Sequence, residues 1–126
     1  MTDIILVGGG GHCKSCIDVI RAVGAYNILG IVDRKERIGS SVAGYTVVGS
    51  DEDLGHLLQR CRNFFITVGQ LEDPGPRKKL FTSLVAAEAV LPVLTAPGAH
   101  VSPAATVGMG TIVFFQALVN NGAVVG

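Results

Sequence analysis

The stretch IILVGGGGHCKSCIDVIRAV, residues 4–23, decides the fold of this protein. Its first four residues form a continuous apolar run, which is typical of a strand buried on both faces of a parallel sheet. Four glycines follow, and apolar residues then recur at helical spacing from Cys16 onwards, with Gly24 suited to the end of the helix. The stretch therefore predicts a strand, a tight turn and an amphipathic helix, which together open an α/β fold.

Further strands and helices alternate up to residue 95. The predicted strands cover residues 28–32, 45–49, 64–68 and 89–94, and the predicted helices cover residues 50–61 and 74–87. The first of these helices starts at Ser50 as N-cap, with Asp53 three residues on as a weaker variant of the capping box. Because strands that alternate with helices form a parallel sheet with right-handed crossovers, we predict a small Rossmann-like domain over residues 1–95. Pro92 cannot donate a sheet hydrogen bond, so the last predicted strand belongs at an edge position or at the end of the sheet.

Residues 96–126, here called the repeat region, have a different period. A valine recurs every six residues: Val101, Val107, Val113, Val119 and Val125. A small residue follows four positions after each of the first four valines: Ala105, Thr111, Ala117 and Ala123. This hexapeptide repeat predicts a parallel β-helix, in which three hexapeptides close one coil of the left-handed form.

The repeat region supplies only about one and a half coils, whereas repeat proteins usually need about three or more units to bury each other's faces. The last coil would also leave an open edge of unpaired backbone groups. We therefore expect this chain to be a fragment that either associates through residues 101–126 or packs them in a non-native way.

Composition argues against several classes of partner. Ten basic residues balance ten acidic ones, which gives no electrostatic reason to expect nucleic acid or an anionic membrane as partner. No charged residue follows Glu88, but prolines, glycines and asparagines interrupt this tail too often for a membrane span. The N-terminus lacks the basic segment of a signal peptide, and three cysteines do not suggest a secreted disulfide scaffold. We expect a cytoplasmic protein.

A glycine-rich Rossmann-like domain followed directly by hexapeptide repeats is an uncommon order. The segments that carry the resemblance are ILVGGGGHCKSCIDV at 5–19, IVD at 31–33, GYTVVGSDEDL at 44–54, FITVGQ at 65–70, RKKL at 77–80 and PGAHVSPAATVGMGTIV at 97–113. In this order the whole chain resembles the bacterial nucleotide-sugar acyltransferases typified by the sialic acid O-acetyltransferases and the UDP-4-amino-sugar N-acetyltransferases. The resemblance implies an acetyl-CoA-dependent acyltransferase that acts on a UDP-type amino sugar or a sialic acid in surface-glycan biosynthesis.

The resemblance also implies a division of labour. The N-terminal domain holds the nucleotide sugar, while the β-helix forms a homotrimer and binds acetyl-CoA between neighbouring subunits, without a metal. A histidine on the β-helix, helped by an acidic residue, acts as general base, and the family pattern puts it about one to three hexapeptides beyond Gly126. This chain is then expected to carry the sugar-nucleotide site, to lack a catalytic residue and to be inactive alone.

Seven residues are the candidate ligands of the nucleotide sugar: Gly8, Gly10, Gly11, His12, Asp33, Arg34 and Gly69. The glycines let backbone N–H groups reach an anion, and the helix N-terminus adds a favourable dipole. Asp33 and Gly69 end predicted strands, at the edge where parallel sheets bind ligands, and an acid there accepts from a ribose hydroxyl or the uracil. Arg34 offsets pyrophosphate charge, and the resemblance implies that His12 donates to a phosphate or packs on the sugar.

Other interpretations of the same segment exist. Cys13 and Cys16 form a C-x-x-C that a helix N-terminus can activate, and with His12 they make part of a zinc ligand set. We favour both cysteines as small apolar residues of the packing helix. Cys13 also replaces the third glycine of the dinucleotide fingerprint, which disfavours an NAD-dependent dehydrogenase. Residues 77–79, Arg-Lys-Lys, are expected to form a solvated helix face. For the protein as a whole, the alternative to an acyltransferase is a non-catalytic nucleotide-binding or regulatory module.

Overall fold

The structure is a computed structural model that describes residues 1–68, 75–114 and 117–125. A five-stranded sheet and three helices form its first part: β1 (Thr2–Val7), α1 (Gly11–Val23), β2 (Tyr26–Val32), β3 (Ser41–Val42), β4 (Tyr45–Gly49), α2 (Leu54–Arg60), β5 (Phe64–Ile66) and α3 (Gly75–Ala86). The strand order is β3-β4-β2-β1-β5, and every pair is parallel except the β3–β4 hairpin. The prediction of an α/β fold with a parallel sheet is confirmed.

The central strand explains why the sheet is covered on both faces. Ile4 and Leu6 belong to the core cluster that contains α1, while Ile5 and Val7 belong to the cluster formed with α2 and α3. Alternate side chains of a strand point to opposite faces, so a strand that is apolar at consecutive positions must be buried on both. Helix α1 ends at Gly24, whose φ of 72° is the left-handed conformation expected there.

Helix α2 begins with the capping box that the sequence predicts. The Ser50 backbone N–H donates to Asp53 Oδ2 at 2.8 Å, and a single 3-10 turn at Asp51–Asp53 leads into the helix. Ser50 is buried, so this pairing satisfies a polar group that would otherwise destabilise the fold. It also fixes how the chain leaves the carboxyl end of β4.

The predicted strand at residues 89–94 is wrong. Only Val90 joins the edge of β5, where its carbonyl accepts from the Phe64 N–H at 2.9 Å. Pro92 has no N–H, so the parallel ladder cannot continue past it. The chain instead forms a short strand at Leu94–Thr95 that pairs with the repeat region.

The described residues between 94 and 125 form six two-residue strands: β6 (Leu94–Thr95), β7 (His100–Val101), β8 (Thr106–Val107), β9 (Ile112–Val113), β10 (Leu118–Val119) and β11 (Val124–Val125). Each of the first three pairs in parallel with the strand 18 residues later: Leu94 with Ile112, His100 with Leu118, and Thr106 with Val124. Eighteen residues are three hexapeptides, so the chain returns alongside itself after every third short strand.

The repeat region shares a core with the sheet. Leu94 and Ala96 are buried in the same cluster as α1, and Ile112 and Phe114 pack against that cluster. By contrast, Leu118 and Val124 are 64% and 78% exposed, on the outer side of their strands.

Within the described ranges, no helix combines the length and the apolar character needed to cross a membrane.

We expect Leu94→Ala to lower the free energy of unfolding by about 2–5 kcal/mol, because it opens a cavity in this shared core. The matched control is Leu118→Ala in an exposed short strand, which should change the free energy by no more than about 0.5 kcal/mol. Urea denaturation of both variants measures the difference. Equal losses would show that β6 does not share the core of the sheet.

Candidate functional site

The order in which the chain adds strands to the sheet reverses at β1. The chain proceeds from β1 to β2 and β4 on one side, and then returns to β5 on the other side. In open parallel sheets, ligands bind outside the carboxyl ends of the strands at such a reversal. The turn after β1 therefore stands at the position where the topology favours a ligand.

Gly8 is held by hydrogen bonds to both neighbouring strands. Its N–H donates to the Val32 carbonyl at 2.7 Å, and its carbonyl accepts from Thr67 Oγ1 at 2.5 Å. Its φ is 120°, and a Cβ would lie 2.9 Å from the Val68 backbone N. Glycine is thus required here by the fold, and the Gly8 N–H is already engaged with Val32.

Gly10 and Gly11 differ from Gly8 in this respect. Gly10 is the N-cap of α1 and Gly11 its first residue, and a Cβ on either would meet no atom within 4 Å. In the part of the chain that the structure describes, the N–H groups of Gly11 and His12 have no hydrogen-bond partner, whereas Cys13 N–H donates to the Gly10 carbonyl at 3.0 Å. The open space and the free amides are the features an anion needs at a helix N-terminus.

Asp33 follows β2, and its side chain is largely buried. Its backbone N–H donates to the Gly49 carbonyl at 3.1 Å, and its side chain is only 14% exposed. Arg37 Nε lies 3.2 Å from Asp33 Oδ2, but the geometry is that of an ion pair, and Oδ2 accepts no hydrogen bond from described residues. Gly9 allows this close packing, because a Cβ there would lie 2.5 Å from Oδ2.

Three predicted site residues meet around one cavity of about 410 Å³: Gly8, Asp33 and Arg34. The sequence interpretation missed Ser50, Asp51 and Glu52, which also line it. The available signal was the end of β4 at Gly49, since parallel strands finish at the same edge of the sheet. Glu52 lies 4.0 Å from the Lys35 ammonium, so this wall carries both signs of charge.

His12 does not line that cavity. Its ring makes a T-shaped contact with Phe114 of the repeat region, with ring centroids 5.8 Å apart. Burial lowers the pKa of His12 from its ordinary value, and the positive charge of Arg77 acts in the same direction. The ring is therefore mainly neutral near pH 7. Gly69, the remaining predicted site residue, lies outside the described residues.

The C-x-x-C pair is buried. Cys13 and Cys16 have no exposed surface, and both are free thiols. Burial raises the pKa of Cys13, and it raises the pKa of Cys16 to about 12, which is the opposite of what a redox thiol needs. Among the described residues, no cluster of three or more His, Cys, Asp or Glu side chains is suited to a metal ion.

The basic residues at the start of α3 are exposed, as expected of a solvated face. Arg77 and Lys78 also stand beside a second, more apolar cavity of about 770 Å³, which lies between α3 and the repeat region. Phe81 and Met109 contribute apolar walls from the two sides.

The profile of one protein family, the PglD N-terminal domain, matches residues 3–84. A histidine-to-asparagine variant of perosamine N-acetyltransferase from Caulobacter crescentus, in complex with CoA and GDP-perosamine, superposes with a TM-score of 0.80 at 30% identity, over 99% of this chain and 63% of that one. The acetyltransferase domain of PglB from Neisseria gonorrhoeae superposes with a TM-score of 0.82 at 31% identity, over 98% of this chain and 58% of that one.

The same PglB domain in complex with acetyl coenzyme A superposes with a TM-score of 0.75 at 33% identity, over 98% of this chain and 58% of that one. This chain thus spans less than two thirds of the length of these solved structures. No curated protein matches it.

Two glycine variants should separate the fold from the binding surface. Gly8→Ala should lower the free energy of unfolding by about 1–3 kcal/mol or more, because of its positive φ and the clash with Val68. Gly11→Ala should leave stability unchanged or raise it by up to about 1 kcal/mol, because alanine favours the helix and its methyl meets open space. Urea denaturation tests both, and a large loss for Gly11→Ala would contradict this assignment.

The buried thiols should react slowly with a thiol reagent at pH 8 in the folded protein and rapidly in urea. Because the pKa of Cys16 is raised from 9.0 to about 12, its contribution to stability is present below pH 9 and is lost as the pH rises towards 12. The free energy of unfolding, measured by urea denaturation from pH 7.5 to 11, should therefore fall less steeply with pH for Cys16→Ala than for the wild type. Fast labelling of the folded protein would instead support a redox pair.

Proposed function

This chain belongs to the PglD N-terminal domain family and so to the nucleotide-sugar acetyltransferases, and from that premise we propose that it binds the nucleotide sugar in acetyl-CoA-dependent acetylation of an amino sugar. The observation that carries the proposal is the superposition of 99% of the chain on an acetyltransferase that holds CoA and GDP-perosamine. The same proposal assigns the acetylation itself to a whole protein with a longer repeat region.

The diphosphate of the ligand would lie at the N-terminus of α1. The N–H groups of Gly11 and His12 are free to donate there, and the helix dipole favours negative charge. The open space in front of Gly10 and Gly11 supports this position, because a phosphate can approach the backbone without meeting a side chain.

The nucleoside would occupy the cavity between Gly8 and Asp33. Its volume of about 410 Å³ lies within the range of small-molecule sites. In this arrangement the Asp33 carboxylate accepts from a base N–H or a ribose hydroxyl, and Arg34 is a cation at the rim for the phosphates. We retain a UDP-linked sugar as the expected ligand, and the GDP-perosamine of the solved relative makes a guanine nucleotide the direct competitor.

For the repeat region we propose the first coils of a left-handed parallel β-helix, with a domain boundary near residue 95. The pairing of strands 18 residues apart supports it, because three hexapeptides make one coil. We also propose a homotrimer that holds acetyl-CoA between neighbouring subunits. Exposed Leu118 and Val124, in a region without charged side chains, are the kind of surface that such association covers.

In the proposed reaction, the sugar amine attacks the thioester carbonyl of acetyl-CoA. A general base takes the proton of the amine, and the CoA sulfur leaves with the electron pair of the C–S bond and is then protonated. His56 and His100 are exposed, and His12 is committed to the Phe114 contact. We propose that the base is a histidine of a longer repeat region; the solved relative has been studied with one histidine replaced by asparagine or alanine.

The cytoplasm remains the expected compartment, because three free, buried cysteines suit a reducing environment. The balanced charge gives no reason to add nucleic acid or a membrane to the expected partners.

The chain itself should bind a nucleotide-linked amino sugar and release no CoA. Calorimetric titration with UDP-linked and GDP-linked 4-amino sugars measures the first, and a thiol reagent with acetyl-CoA and the bound sugar measures the second. Asp33→Asn should weaken binding about tenfold to a hundredfold, because it removes a charged acceptor. Asp18→Asn, on the exposed face of α1, is the matched control.

Absence of binding by every amino-sugar nucleotide would refute the proposed site. Release of CoA by this chain would instead show that the base lies within residues 1–126. Binding without CoA release by the same protein carrying a longer repeat region would favour a non-catalytic nucleotide-binding module.

A further inference from the structure

One aromatic contact joins the two parts of the molecule at the candidate site. His12 is the second residue of α1, directly after the glycine turn, and Phe114 follows strand β9 in the repeat region. Their ring centroids are 5.8 Å apart, and the ring planes make an angle of 69°. This edge-to-face geometry is the preferred arrangement of aromatic pairs and has a net attraction.

The side chain of Phe114 is held in place by its packing against the core. It is partly buried and packs against the cluster that contains α1 and Leu94, so its ring rests on the core shared by both parts. Its carbonyl accepts from the Ala117 N–H at 3.2 Å, which constrains the backbone after β9. The side chain of His12, in contrast, makes no hydrogen bond to any described residue.

We propose that Phe114 is a positioning residue, which holds the His12 ring beside the open N-terminus of α1 so that the repeat region helps to form the nucleotide-sugar site. This inference rests on the proposed function, and it assigns a role to a residue outside the glycine turn and the sheet edge. Phe114 acts through His12 and does not need to touch the ligand.

The physical argument concerns the freedom of the His12 side chain. A half-exposed histidine in the first turn of a helix can adopt several rotamers, and a ligand that uses one of them must pay for the loss of the others. The contact with Phe114 removes much of that freedom before the ligand arrives. A mainly neutral ring also keeps one N–H donor and one nitrogen acceptor, which suits a phosphate or a sugar hydroxyl.

The experiment compares Phe114→Leu, which keeps apolar volume without the ring, with Phe114→Tyr, which keeps the ring. Met109→Ala is the control for a change elsewhere in the repeat region, because Met109 is 57% exposed. The carbon-bound ring protons of His12 are followed by NMR and assigned by their loss in His12→Gln. Binding of the UDP-linked or GDP-linked amino sugar, whichever the wild type prefers, is measured by calorimetry.

We expect Phe114→Leu to shift the His12 ring signals, because the ring current of Phe114 is lost, and to weaken binding about threefold to tenfold, which matches the energy of one aromatic pair. Phe114→Tyr should retain most of the affinity, and Met109→Ala should change neither the signals nor the affinity. In His12→Gln, adding Phe114→Leu should cost no further affinity, since the two residues act as one unit.

Three outcomes would overturn the inference. The first is a His12 spectrum that is unchanged in Phe114→Leu. The second is a shifted spectrum with wild-type affinity, and the third is an equal loss of affinity in Phe114→Leu and Phe114→Tyr. Failure of the proposed function is seen separately, because the wild-type chain would then bind neither sugar nucleotide.

Discussion

The peptide of Gly8 is the constraint on which the rest of this structure depends. Its N–H donates to β2 and its carbonyl accepts from Thr67 just beyond β5, so one residue ties together the two strands that flank β1. A side chain at this φ would meet the backbone of Val68. These contacts fix the path of the chain as it leaves β1, and that path sets the start of α1 and the position of the candidate site.

The four glycines of the turn consequently have different tasks. Gly8 and Gly9 allow close packing, the first against Val68 and the second against the Asp33 carboxylate. Gly10 and Gly11 have open space in front of them, and the free amides of the first helical turn lie there. The glycine-rich turn of this chain is thus partly a packing device and partly an open surface, and we expect its two halves to respond differently to substitution.

The repeat region packs into the same hydrophobic core as the sheet and α1. Strand β6 places Leu94 in the core of α1, and the return of the chain 18 residues later brings Ile112 and Phe114 against the same core. Because Phe114 reaches His12, the geometry at the start of α1 depends on residues about a hundred positions away in the chain. The start of α1 and the repeat region are thus joined through one shared core.

The sequence by itself determined the order of strands and helices, the glycine turn, the capping box at Ser50 and the six-residue period, because each is a local pattern with one dominant physical solution. It also predicted that Asp33 and Arg34 lie at the edge where parallel strands end, and both line the cavity there. It failed at residues 89–94, where apolar runs look alike and Pro92 decided the pairing. Only the tertiary structure decided which glycines are open, that the N–H of Gly8 is already used, that Ser50 to Glu52 complete the cavity, and that His12 meets Phe114. Those facts depend on contacts between residues far apart in the chain, which no local pattern encodes.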